Sequence, residues 1–299
     1  MNQSTQGLLL RAMPVLFVLL WSTGFIGAKY GLPYAEPWTF LAIRFVASVA
    51  VLLVIVRLVG AAWPRDLRLW GHVAVTGVLV HAIYLGGVFY SIYRGMPAGV
   101  AALIVGLQPL VTALLARPWL GERIAAVQWL GIGLGLIGIV LVLGDKIDTS
   151  ADALFAGFGP EAILLALVAL LAISVGTIYQ KRHCSGIDLL TGTCIQFVAA
   201  AAVTTVAAFL FETREVQWVP QFVFALTWLV LGLSVAAILL LMAMIRRGEA
   251  SRVASLFYLV PPVTAVEAWI LFGERLGLVA IVGIGLAVLG VALAARYRA

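Results

Sequence analysis

Arg44 and Glu267 are the two ionisable side chains that stand out inside long apolar runs of this 299-residue chain. A charge in such a run is costly to bury and marks a place where solute, proton or counter-charge is handled. Arg44 lies six residues beyond Trp38, roughly 9 Å at about 1.5 Å rise per residue. Glu267 lies five residues before Phe272, at a similar depth in its own run. That match predicts a pair, or two groups flanking one wet cavity. The competing structural reading has each reaching an interface alone, Arg44 by snorkelling and Glu267 by its closeness to a helix end.

Neutral polar groups extend the candidate set. His81, Tyr84, Val88 and Ser91 recur at helical spacing, so one polar stripe is expected on an inward face. Gln108 beside Pro109, and Ser255 and Tyr258 before Pro262, offer solute contacts or plain interhelical hydrogen bonds. Trp21 is an aromatic candidate for the same cavity. Pro109, Pro261 and Pro262 interrupt helical hydrogen bonding and are the expected gating points. Gly131 and Gly135 have small-xxx-small spacing and, with Gly283, predict close helix packing, with dimerisation as the second reading.

These residues do not form a recognisable catalytic set. The sequence has no His-Glu-x-x-His, no Gly-x-Ser-x-Gly and no Gly-x-x-x-x-Gly-Lys motif. Cys184 and Cys194 lack metal-ligand spacing. No metal, no cofactor and no enzymatic activity are expected.

The elements that must carry these groups are membrane spans. With 64% hydrophobic and 11% charged residues, the chain exceeds what a water-soluble domain can bury. Apolar runs of spanning length fall near 13–30, 38–59, 70–92, 98–117, 125–143, 161–179, 189–210, 222–245, 253–272 and 276–295. The net charge of +6 resides in the connections, as topogenic charge does, and not in a nucleic-acid face. Arg57, Arg65, Arg68, Arg117, Arg123, Lys181, Arg182, Arg246, Arg247 and Arg252 share the side of both termini, which predicts cytoplasmic termini.

The chain also repeats at an offset of 152 residues. Ser22, Gly24, Ile26 and Lys29 meet Ser174, Gly176, Ile178 and Lys181; Pro109 meets Pro261; Gly121-Glu122-Arg123 meets Gly273-Glu274-Arg275. Gly131, Gly133 and Gly138 meet Gly283, Gly285 and Gly290, whereas Arg94-Gly95 meets Arg247-Gly248 only with a one-residue slip and the third spans need gaps. Five spans per repeat is odd, so the second copy inserts upside down. The expected fold is all-α integral membrane: ten transmembrane helices as two inverted five-helix repeats, 1–146 and 160–299, with a 147–159 linker.

Two copies of a proline-helix-Gly-Glu unit, each followed by a glycine-rich helix, resemble the drug/metabolite transporter superfamily and its ten-helix EamA-type branch. The first runs from Pro109 through Gly121-Glu122-Arg123 to Gly131-Ile132-Gly133, the second from Pro261 through Gly273-Glu274-Arg275 to Gly283-Ile284-Gly285. Trp21-Ser22-Thr23-Gly24 resembles that branch's first helix. The resemblance implies export or exchange of small polar metabolites without a cofactor, closest to bacterial amino-acid exporters, aromatic amino acids included. It also implies a chain of the bacterial inner membrane, with the lipid bilayer as its surroundings and a monomer as the working form. Residues 13–30 contain no acid, unlike the first helix of small multidrug-resistance relatives. The alternatives are an organic-cation exporter of the same fold, a membrane-embedded enzyme or a channel.

Overall fold

The computed structural model describes residues 3–120, 126–144, 158–246, 256–274 and 277–296. In chain order they form α1 (Gln3–Gly31), α2 (Pro37–Val59) and α3, which is built from Leu67–Gly77, a π-helical stretch Val78–Ile83 and Tyr84–Tyr93. Next come α4 (Ala98–Gly106), α5 (Gln108–Leu120), α6 (Ala126–Gly144), α7 (Pro160–His183) and α8 (Leu189–Phe211). α9 joins Pro220–Thr227, a π-helical stretch Trp228–Ala237 and Ile238–Arg246. After a 3-10 turn, Phe257–Leu259, the chain continues as α10 (Val260–Phe272) and α11 (Leu278–Arg296). Proline opens α2, α7 and α9, where its missing N–H costs nothing. Asp66 and Asp188 accept hydrogen bonds from the first-turn amides of α3 and α8.

Six helices are long and apolar enough to cross a membrane: Ala12–Gly31, Pro37–Val59, Leu67–Tyr93, Pro160–His183, Leu189–Phe211 and Pro220–Leu241. Shorter apolar helices occupy Ala98–Thr112, Trp129–Gly138, Val260–Phe272 and Leu278–Leu293. Large apolar side chains cover the outside as well as the core; Val46, Phe209, Phe211 and Ile270 are exposed while Phe40, Phe45 and Phe222 are fully buried. Only lipid suits both surfaces. This is a multi-pass membrane protein.

The fourth apolar run differs from the continuous span expected of it. It breaks at Leu107 between α4 and α5, so Pro109 stands in the first turn of a new helix. Pro261 holds the same place in α10, and a Cβ on Gly106 would sit 2.6 Å from its Cγ. The glycine is what lets these two proline turns meet.

Contacts between the halves are reciprocal. α2 packs on α8, α4 on α10 and α6 on α11; α3 meets α7 as α1 meets α9, and α5 meets α7 as α1 meets α10. The glycine-rich helices show this at atomic scale. A Cβ on Gly138 would lie 2.5 Å from the Gly283 carbonyl oxygen, and one on Gly290 would lie 2.4 Å from that of Gly131. Gly138 and Gly290 are partners at the 152-residue offset, as are Gly131 and Gly283. Such exchange of equivalent contacts is the signature of a two-fold relation between similar units.

Candidate functional site

Arg44 projects from α2 towards the places where α3 and α9 both leave α-helical geometry. Its Nη2 donates to Ser234 Oγ at 3.5 Å, within the π-helical stretch of α9. A second bond joins His81 Nε2 and Gln196 Oε1 at 3.0 Å, His81 standing in the π-helical stretch of α3. The 152-residue offset carries Arg44 onto Gln196, and the slip of the third spans carries His81 onto Ser234. The two bonds are therefore one interaction made twice. Phe45 and Phe197, also offset partners, meet between them with ring centroids 5.4 Å apart. π-Helical turns widen a helix locally and concentrate at functional positions. Here each one brings a polar side chain to the seam between the halves.

The node has unused hydrogen-bonding capacity. Arg44 is 5% exposed, yet its Nε has no hydrogen-bond partner, and neither has Ser48 Oγ one turn further along the same face. Tyr84 and His81 both lie within electrostatic reach of the guanidinium. A buried donor left unmade costs about 1–3 kcal/mol, so these groups call for a water, an ion or a ligand at the seam. An arginine with a free donor edge, flanked by hydroxyls, can pair with a carboxylate.

Glu267 occupies a separate position. Its Oε1 accepts from Ser22 Oγ of α1 at 2.8 Å, Thr264 Oγ1 donates to the Ser22 carbonyl at 3.3 Å, and Oε2 is buried without a partner. The ion pair that equal depth predicts between Arg44 and Glu267 is not formed among the described residues. The reason is lateral: α10 packs on α1 and α4, whereas α2 packs on α8, α3 and α9. Depth along a helix fixes nothing about azimuth.

The remaining candidates scatter around this node. Val88 and Ser91 continue the His81 stripe into the interior. Gln108 Nε2 donates to Thr177 Oγ1 of α7 at 2.8 Å. Trp21 meets Phe17 and Phe257 at ring distances of 5.3 and 5.0 Å. Pro262 follows Pro261 in the first turn of α10. Ser255 and the Tyr258 side chain lie outside the described residues. Gly131, Gly135 and Gly283 sit in the α6–α11 contact and serve packing.

Carboxylates near helix starts are the residues that the sequence did not flag. Glu212, at the end of α8, accepts from Trp38 N, Thr39 N, Thr39 Oγ1 and Tyr90 OH at 2.6–2.8 Å. It caps α2 from the other half. Glu36 returns the contact by accepting from Thr213 N and Oγ1. Glu274 pairs with Lys29 of α1 and accepts from Ala98 N at the start of α4. These bonds tie one end of the bundle across the repeat boundary.

The model of the EamA-like transporter family matches residues 9–144 and again 160–296. The chain belongs to the EamA-like transporter family. Among its relatives, the "Uncharacterized transporter YvbV" of Bacillus subtilis is 27% identical over 92% of this chain and 88% of its own length. The "Probable amino-acid metabolite efflux pump" of Escherichia coli is 26% identical, over 88% and 87%. The "Probable terminal-alkyne amino-acid exporter" of Streptantibioticus cattleyicolor is 29% identical, over 94% and 92%. A solved crystal structure with 22% identity superposes at a TM-score of 0.65, covering 96% of this chain and 98% of the other, and supports the same fold. As an EamA-like protein, the chain is a membrane transporter.

Proposed function

We propose that this transporter exports or exchanges small polar metabolites, amino acids including aromatic ones, across the bacterial inner membrane by alternating access. Ten spans form two inverted five-helix repeats, 1–146 and 160–299, joined by 147–159, with both termini cytoplasmic and the monomer as the working unit. The solute binds at the duplicated polar node, and the two repeats present that node to each side in turn.

The observation that carries this reading is the buried Arg44 with an unpartnered Nε beside unpartnered Ser48, at the seam of two equivalent halves. Arg44, Ser48 and Ser234 receive the solute carboxylate. His81, Gln196 and Tyr84 complete the polar wall, and Glu267 with Ser22 offers an acidic point on the route for the ammonium group. Gln108, Trp21, Ser255 and Tyr258 line the path, while Pro109, Pro261 and Pro262 mark its gates. Two relatives whose names specify amino-acid export support the solute class.

An organic-cation exporter is the second reading, favoured by the single observation that Glu267 Oε2 is buried and open. A buried guanidinium in the same interior opposes it. Proteoliposome counterflow separates the two. Labelled amino acids loaded on one side are expected to accelerate in exchange for unlabelled amino acid on the other, with saturation. Exchange of organic cations alone would replace this reading with the second one.

A further inference from the structure

A groove of about 450 Å³ runs along the outside of the α2–α8 seam, away from the polar node. Its floor is Ala42, Ala47, Ala50 and Ala208, with Thr39 and Thr205 among the walls. Positions 39 to 50 of α2 cover roughly 16 Å at about 1.5 Å per residue. The rims, Val46 and Phe209, are 57% and 67% exposed, so the groove opens onto the lipid-facing surface. Its occupant comes from the bilayer and is apolar along most of its length.

One end is different. Arg214 closes the groove, and its Nη1 donates to the Phe209 and Glu212 carbonyls while its guanidinium covers the Phe209 ring at 4.7 Å. Among the described residues it makes no ion pair, although Glu36, Glu212 and Glu215 are near in sequence or space. Glu36 accepts from the Arg214 backbone N–H, and Glu212 is spent on the start of α2. Arg214 is also the one non-glycine among the described residues with positive φ, 63°. Backbone strain of this kind persists where the surroundings fix it; here the Glu36 carboxylate holds the Arg214 backbone, and two carbonyls hold its side chain at the groove mouth.

The repeat places bulkier residues opposite two of the groove's lining positions. Thr205 and Ala208 correspond at the 152-residue offset to Leu53 and Val56. Val56 and Ala208 are both buried, Leu53 is half exposed, and the second half carries the smaller side chain at both positions.

We infer that this groove binds one phospholipid, with an acyl chain against the alanine floor and the phosphodiester on the Arg214 guanidinium. Charge complementarity selects the headgroup: an arginine with free donors takes phosphate oxygens, and anionic headgroups gain most. A bound lipid would brace α2 against α8, a contact that crosses the repeat boundary.

The test uses the full chain in detergent and in vesicles of phosphatidylglycerol or phosphatidylcholine, read by native mass spectrometry. The wild type is expected to retain a phospholipid and to prefer phosphatidylglycerol. Arg214→Gln is expected to lose that preference, by roughly tenfold for one charge-assisted contact, while still holding lipid. Thr205→Leu/Ala208→Val, which restores the bulk of the first repeat, is expected to lose the lipid while its amino-acid counterflow in phosphatidylcholine persists. Lipid retention by the double variant equal to wild type would overturn the inference, as would an undiminished phosphatidylglycerol preference in Arg214→Gln. Loss of counterflow in the wild type leaves the lipid arms readable and tests the transport reading separately.

Discussion

In the proposed reading Arg44 is the side chain on which solute recognition turns, because its buried Nε has no partner until a ligand supplies one. Arg44→Gln is expected to weaken binding of amino acids tenfold to hundredfold, from the roughly 1.5–3 kcal/mol of a charged hydrogen bond. Amino-acid amides, which lack the carboxylate, should be affected far less; competition for counterflow measures both. Positions 44 and 196 are equivalent at the 152-residue offset, so Arg44→Gln/Gln196→Arg returns the charge to the node from the other half. The double variant should recover affinity that Arg44→Gln loses. Equal loss in both would show that the node does not treat the halves alike. At this scale the sequence disclosed Arg44, His81 and Glu267 by their cost inside apolar runs. It did not disclose Gln196, which the offset maps, or Ser234, which needs a one-residue slip as well, because Arg against Gln and His against Ser are not identities. Ser22 as partner of Glu267 lies 245 residues away, and no local spacing carries that.

At the scale of elements, the glycine helices and the shared caps hold the halves together. Gly138→Val would place a Cβ 2.5 Å from the backbone oxygen of Gly283, where neither backbone can yield. Overpacking of this type costs about 1–3 kcal/mol. Gly133→Ala faces open space and should be neutral, so the difference in melting temperature of the two variants in detergent tests the α6–α11 contact. Glu212→Ala removes a carboxylate that accepts four bonds at the start of α2 and from Tyr90. A loss of about 2–3 kcal/mol is expected from its charged hydrogen bonds, against almost none for exposed Glu215→Ala. The glycine pairing was visible in the sequence as two matching patterns. The π-helical stretches were not, since a wide turn changes neither composition nor the apolar run that contains it. The break at Leu107 was signalled only by Pro109, and the apolar run itself continues across it.

Across the whole molecule, the duplication visible in the sequence returns as reciprocal packing: α2 on α8, α4 on α10, α6 on α11, and α3 on α7 as α1 on α9. In the proposed reading, two such halves inserted in opposite senses give a carrier two related ways to close around one node, which is what alternating access needs. The central claim is that opposition. Cysteines introduced at Arg65 and Glu215, both exposed, test it directly with a membrane-impermeant thiol reagent, since native Cys184 and Cys194 are buried. The account predicts that Arg65→Cys reacts only in inverted membrane vesicles and Glu215→Cys only in intact cells. Labelling of both from the same side would contradict it.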